Sequence, residues 1–378
     1  MSGTPTALVD SINPSLFVAF ELGWKTWKLA STVGLGQKLR ISTIPAGDQK
    51  AVMREFSTAL DRFGLAADSR VVSCYEAGRD GFWLHRFLTH IGVENIVIDS
   101  ASIEVSRRSR RPKTDRLDAK KLVTMVVRWD LGEKPWSVVH VPSVEGEDSR
   151  QLHRELKTLK KDATRHINRI KGLLANHGIR INTIPKNLKP WLEEQRLWDG
   201  SPFPNGVAVR VLLEHDRLRF IRSQVLAIEK ERRRLLVECK TKDAQVAHKL
   251  HRLGAIGVNG AWTFSTELFA TREFKNRKQV GSLVGLTPTP FDSGGTNREQ
   301  GIDKAGNKWV RSMAVEIAWA WLRFQPRSAL SLWYQRRFGA GSKRLRKIGI
   351  VALARKLIIA LWHWTEHDVL PKGAILKA

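Results

Sequence analysis

Cysteine is nearly absent from this chain: its 378 residues hold two, Cys74 and Cys239, far apart and without a CxxC spacing or a neighbouring histidine pair. A disulfide framework is therefore excluded, and no zinc site is indicated. Long apolar runs are missing too. No stretch approaches the roughly 18 uninterrupted apolar residues that a membrane span needs, and residues 1–13 lack a basic flank leading into an apolar segment. A soluble, cytoplasmic protein with no membrane partner is expected. Neither an internal repeat nor a low-complexity segment is present, which sets aside solenoid arrays and biased linkers.

Acidic residues are scarce. Against 64 Lys and Arg stand 37 Asp and Glu, leaving a formal charge of +27 and an isoelectric point near 10.6. A polyanionic partner is expected. A solubility device or a binder of acidic membranes would collect its charge in a tail or one amphipathic helix, whereas here the excess runs the whole length, which favours nucleic acid. The length implies two or three folding units.

The first 130 or so residues alternate in character. Residues 16–20, 26–31 and 38–43 read as short strands separated by glycine-bearing turns, followed by a helix over 48–63, a strand over 70–74, a helix over 81–91, a strand over 95–98 and a helix from 116 onward. Three meandering strands followed by helix, strand, helix, strand and helix is the element order of an α/β ribonuclease-H-like domain, placed at 14–135. Leu152, Leu156, Leu159, Ile167, Ile170 and Leu174, then Leu218, Ile221, Val225, Ile228 and Leu235, recur at helical steps. They predict an antiparallel helical, coiled-coil-like arm over 145–250, or equally a helical core layer, with a turn or hinge across 185–206. A mainly α C-terminal region follows over 251–370. Its opening Leu253-Gly254-Ala255-Ile256-Gly257 fits a helix-hairpin-helix turn facing a phosphate and fits a tight interhelical turn equally well.

Phosphodiester chemistry with divalent metals needs carboxylates converging from several strands, because Mg2+ prefers hard oxygen ligands. Glu21 follows the apolar run at 16–20, Glu76 follows that at 71–75, and Asp115 and Asp118 lie one turn apart at a helix start. Singly, these fit solvated strand ends and first-turn acids favoured by the helix dipole. Together, four acids at such positions of a strongly basic chain outline a nuclease or recombinase centre.

Tyr75-Glu76-Ala77-Gly78 and Lys113-Thr114-Asp115-Arg116-Leu117-Asp118-Ala119 resemble two hallmark motifs of the DEDD insertion-sequence transposases, the family numbered one hundred and ten, which includes the pilin-gene invertases. The resemblance implies a RuvC-like domain in which Glu21, Glu76, Asp115 and Asp118 are catalytic and hold Mg2+. This chain departs from the pattern at the first acid, where Phe20-Glu21-Leu22-Gly23 stands in place of a Gly-Ile-Asp turn. The extra methylene of Glu21 moves its carboxylate by about an ångström, whereas catalytic geometry tolerates about half that.

The glycines and prolines from Gly285 to Asn307 predict a loop, a common home for reactive groups. Ser293 within it is, on its own, an ordinary turn serine. Gly285-Leu286-Thr287-Pro288 and Lys304-Ala305-Gly306 are similar to the family's C-terminal transposase domain, and that resemblance makes Ser293 the nucleophile that joins to DNA. Basic clusters adjoin both regions: Arg107, Arg108, Arg110, Arg111 and Lys113 before Asp115, Arg298 and Lys304 beside the serine, and Lys343, Arg344, Arg346 and Lys347 before a long apolar helix. These are expected to contact nucleic-acid backbone, although charge runs are also ordinary solvated faces.

The resemblance further implies double-stranded DNA as substrate, a guide RNA transcribed from the mobile element, and a homo-oligomer, dimer or tetramer, able to hold two duplexes. A structure-specific nuclease using water, a DNA invertase and a catalytically inert nucleic-acid-binding derivative are the rival readings. If the basic clusters meet phosphates, log Kd for duplex DNA rises with log salt by about 0.9 for each phosphate neutralised. A salt titration of binding checks this, and a flat response counts against it.

Overall fold

Strand β1 (Leu16–Leu22) is apolar at nearly every position because both of its faces are covered. It lies at the centre of a five-stranded sheet. In a computed structural model describing residues 14–103, 115–293, 296–304 and 306–377, the chain divides into two units, Met1–Val141 and Pro142–Ala378.

In the first unit, β2 (Thr26–Thr32), β3 (Arg40–Pro45), α1 (Gln49–Phe63), β4 (Val71–Glu76), α2 (Trp83–His90), β5 (Glu94–Ile98) and α3 (Asp115–Asp130) follow β1. The sheet order is β3-β2-β1-β4-β5. The first three strands form an antiparallel meander, and β4 and β5 continue parallel to β1. Leu16, Val18 and Phe20 face Val52, Phe56 and Leu60 of α1 and Leu84 and Leu88 of α2. Phe17 and Ala19 share the opposite face with Val72 and Cys74, beneath Leu122, Val123 and Val126 of α3. Helix α1 begins one residue after Asp48, whose carboxylate accepts the Ala51 N–H and so serves as the cap.

The second unit opens with the long helices α4 (Val144–Ala175) and α6 (Asn205–Glu238), which pack against each other. Lys160 pairs with Glu229 at 2.7 Å and Arg169 with Glu214 at 3.0 Å, so rising numbers in one helix meet falling numbers in the other. Buried Glu214 also takes His166 at 2.6 Å and Arg217 at 2.6 Å. The expected hinge at 185–206 holds a helix instead, α5 (Leu188–Glu194). Leu188 and Leu192, one turn apart, bury with Phe203 against Ile170 and Leu174 of α4 and Val211 of α6.

Next come α7 (Lys242–His251), α8 (Val258–Phe264) running into a π-helical turn at Ser265–Phe269, α9 (Arg277–Val284), β6 (Pro288–Ser293) and β7 (Thr296–Ile302). Then α10 (Lys308–Phe324), α11 (Ala329–Tyr334) with a second π-helical turn at Gln335–Gly339, and α12 (Lys343–His367) complete the unit. Phe264, Phe269, Trp321, Leu353 and Leu361 lie in its core. The foot of α4 enters this core through polar groups. Arg150 Nε donates to the Thr266 carbonyl at 3.0 Å, and the His153 ring contacts Thr263 Oγ1 at 3.1 Å while stacking on Trp309 at 4.3 Å. Among the described residues no helix is long and apolar enough to cross a membrane.

Burial, and then the positive charges of Arg232, Lys157, Arg154 and Lys160, push the His153 imidazole down to about 3. A base whose folded pKa lies below its unfolded value stabilises the fold above the unfolded pKa, and that contribution is lost as pH falls from about 6.5 towards 3. Lowering the pH from 7.5 to 5 is expected to cost on the order of 2 kcal/mol through this residue. Thermal unfolding should show a smaller loss over that interval in His153→Gln than in the parent.

Candidate active site

The sheet register decides where the first two acids stand. Parallel pairing of β1 with β4 runs from Leu16 opposite Val71 to Phe20 opposite Tyr75. The next pair in register is Glu21 and Glu76, side by side at the carboxyl ends of neighbouring strands, where adjacent strands lie about 4.8 Å apart. Both continue the face that carries Phe17, Ala19, Val72 and Cys74, and both are half-buried. Lys28 of β2 is the cross-strand partner of Glu21 on its other side, so a cation flanks the two carboxylates.

Helix α3 covers that same face, and its direction is fixed at two points. Arg70, just before β4, donates to Asp130 at the end of α3 at 2.8 and 3.1 Å, and to Glu94 at 2.7 and 2.8 Å. Those hydrogen bonds, to Glu94 first and then Asp130, raise the guanidinium pKa further above its ordinary value. Midway, the Cys74 thiol lies 3.9 Å from the Leu122 carbonyl oxygen, and burial pushes that thiol's pKa up. The helix thus runs antiparallel to β4. From Cys74 to Glu76 the strand advances about 6.6 Å, and from Leu122 back to Asp118 the helix retreats about 6 Å. Half-buried Asp118 therefore stands at the sheet end that carries Glu21 and Glu76, in the first turn of α3. Asp115 is the first residue of that helix, and its side chain lies outside the described residues. Among the described residues no three of His, Cys, Asp and Glu stand close enough together to hold a metal ion. Beyond the acids, exposed Trp24 at the β1–β2 turn carries the Arg79 guanidinium over its ring at 4.7 Å.

The region expected to be a loop around Ser293 is a β-hairpin. β6 and β7 pair antiparallel, with Asp292 opposite Asn297 and Ser293 opposite Thr296. Two β-compatible runs on either side of Gly294-Gly295 are a hairpin signal that outweighs the local density of Gly and Pro. Ser293 is the last residue of β6; its side chain and that of Arg298 lie outside the described residues, as do Arg107, Arg108, Arg110, Arg111 and Lys113 altogether. Lys304 is exposed just beyond β7, with φ +60°.

The hairpin's foot is clamped to the helical core. Asn307 N–H donates to the Leu283 carbonyl of α9 at 3.1 Å, just beyond the last rung of the hairpin, where Asp303 N–H donates to the Thr287 carbonyl at 3.0 Å. The Asn307 side chain caps α10 through the Trp309 and Val310 N–H groups and donates from Nδ2 to buried Glu267 at 3.2 Å. Glu267 also meets Arg154 of α4 at 3.4 Å.

A family model described as the IS116/IS110/IS902 transposase family matches residues 247–332, the segment holding this hairpin. The transposase y4rJ of Sinorhizobium fredii is 38% identical over 99% of this chain and 97% of its own length. This chain belongs to that transposase family. The transposase for insertion sequence element IS1328 of Yersinia enterocolitica is 25% identical, over 79% of this chain and 84% of its own. That for IS1111A of Coxiella burnetii is 24% identical over 75% and 74%. Membership makes DNA the substrate and its cleavage and rejoining the general activity.

Of the residues named from sequence, Glu21, Glu76, Asp118 and the start of α3 at Asp115 gather at one end of the first unit's sheet, whereas Ser293 belongs to the second unit. The sequence reading missed Glu267 and Asn307, which carry no motif, and the tight foot of the hairpin. Gly306 stands there at φ +81°, and a Cβ would collide with the Leu283 carbonyl oxygen. Gly306→Ala in this transposase is expected to cost more than about 2 kcal/mol, from the left-handed backbone and the collision together. Denaturant unfolding measures the loss, and a change below about 0.5 kcal/mol would show that the clamp is not rigid.

Proposed function

We propose that this transposase cuts and rejoins DNA through a ribonuclease-H-like, RuvC-like acidic centre in its first unit and the Ser293 hydroxyl in its second. The observation that carries the reading is the register pair Glu21 and Glu76 at the ends of parallel strands, with the first turn of α3 at the same end. The donor set consists of carboxylate oxygens, the ligand chemistry that Mg2+ takes. As they stand Glu21, Glu76 and Asp118 are not close enough to share an ion; with Asp115 they would hold it once the first turn of α3 closes on the strand ends. Bound there, Mg2+ supplies Lewis-acid polarisation of the scissile phosphate. Ser293 Oγ gives up its proton and forms a bond to phosphorus as one deoxyribose oxygen leaves and takes up a proton, conserving the phosphodiester as a protein–DNA link. Attack by the hydroxyl of another strand end then releases the serine and rejoins DNA. A guide RNA and a homo-oligomer holding two duplexes belong to the same reading.

Glu76→Gln is expected to lower Mg2+-dependent strand cleavage by more than about 100-fold while leaving DNA binding within about threefold, since it removes a ligand charge and little area. Ser293→Ala separates the nucleophiles. Trapping of a covalent protein–DNA adduct in the parent and its loss in the variant support the serine, whereas undiminished cleavage in the variant assigns the attack to water.

A second reading rests on Glu21 in the place of Asp: a transposase-derived binding protein without catalysis. Strand exchange that is absent from the parent and present in Glu21→Asp supports it, and a parent that recombines DNA rules it out.

A further inference from the structure

A groove of about 1360 Å³ runs along the second unit between α9, the foot of the β6–β7 hairpin, the π-helical turn at Gln335–Gly339 and the first half of α12. Its walls differ in kind from its rim. Leu286, Ile302, Phe338, Ile348 and Val351 make an apolar floor. Leu345 and Ile348 leave 40% and 53% of their surface exposed there, although they lie within the most basic stretch of α12. Around them stand Arg277 and Lys278 on α9 and Lys343, Arg344 and Lys347 on α12. Among the described residues none of these five makes an ion pair and no carboxylate lines the groove. Further along, the Lys356 ammonium sits over the Trp333 ring at 4.8 Å, which keeps its charge at the rim.

We propose that this groove holds an unpaired stretch of nucleic acid, with phosphates on the cationic rim and unstacked bases on the apolar floor. Three features select that occupant. The uncompensated positive rim requires a polyanion. The volume exceeds the roughly 300–1,000 Å³ of small-molecule pockets, which suits a polymer segment. A duplex hides its base faces in the stack and presents mainly phosphates and sugars, so it would leave the exposed Leu345 and Ile348 without use, whereas single strands combine a basic track with apolar contacts to the bases. Because Leu286, Pro288, Gly301 and Ile302 at the hairpin's foot line one side, the strand would lie beside the element that carries Ser293.

The inference rests on the chain acting on nucleic acid, but its test reads binding rather than cleavage, so it stands or falls independently of the acidic centre and of Ser293. Fluorescence anisotropy with a short oligothymidylate, the matching oligouridylate and a duplex of equal length would be measured on the full chain. The double variant Leu345→Ser with Ile348→Ser is expected to weaken single-strand binding at least about fivefold and duplex binding less than about twofold, with an unchanged salt slope. Lys343→Gln with Lys347→Gln is expected to reduce the single-strand salt slope by about 0.7 for each phosphate that is no longer neutralised. Ile348→Val, which keeps the apolar surface, should bind like the parent, and unchanged circular dichroism shows that the exposed substitutions leave the fold intact. The relative effect on the two oligonucleotides tells DNA from RNA. Equal losses on duplex and single strand, or single-strand affinity untouched by the serine pair, would overturn the proposal. The latter together with groove-dependent binding of an acidic amphipathic peptide would give the groove to a protein partner.

Discussion

Parallel pairing of β1 with β4 is the constraint on which the candidate centre depends. It is set by burial: a one-residue slip would turn Phe17 and Ala19 into the α1–α2 face and Val18 and Phe20 beneath α3. Each layer is packed around its own residues, Phe17, Ala19, Val72 and Cys74 under α3 and Leu16, Val18 and Phe20 under α1 and α2. Register is therefore fixed along the apolar part of the strands, and Glu21 and Glu76 at their ends inherit it. Two carboxylates are held side by side by a core built from other residues. Their mutual repulsion opposes folding, and Lys28 on the next strand offsets part of it.

Charge has a second consequence for the whole chain. The acids of the candidate centre repel phosphates, and with a screening length of about 8 Å in physiological salt the repulsion is local. An excess of +27 spread along the chain reverses that field at longer range, so DNA is attracted by the surface and meets acids only at close approach. Several acids outside the centre are engaged in ion pairs that set helix positions: Asp130 with Arg70, Glu214 with Arg169 and Arg217, Glu267 with Arg154. Among the described residues the groove of the second unit has no such compensation, so its cations are available.

Much of this was legible in the sequence, for identifiable reasons. Apolar runs ending in Glu21 and Glu76 mark strands with acids at their ends, because a strand's period and burial are local properties. Leucines at three- and four-residue steps mark α4 and α6 for the same reason. What was not legible came from tertiary packing. The antiparallel run of α3 against β4 depends on Arg70 meeting Asp130, 60 residues away. The helix α5 was hidden behind Pro, Gly and Trp residues, since its apolar face is only Leu188, Trp191 and Leu192. The basic run at the start of α12 read as a contact with nucleic-acid backbone, but not as part of a groove. Only packing against α9 and the hairpin's foot turned its interleaved Leu345 and Ile348 into the floor of a groove.

The hairpin that replaced the expected loop alters how Ser293 can be positioned. A two-stranded ribbon is marginal by itself, so the precision of a residue at its tip comes from its base. One hydrogen bond, from the Asn307 N–H to the Leu283 carbonyl, binds that base to α9. Asn307 ties it to α10 and to Glu267, and Glu267 in turn to Arg154 on the arm helix α4. The cap on α10 and the hairpin's return strand are separated by only a few residues, Gly306 among them, and Gly306 has no room for a side chain. Ser293 stands at the end of the six residues of β6, roughly 20 Å of strand from the hairpin's foot.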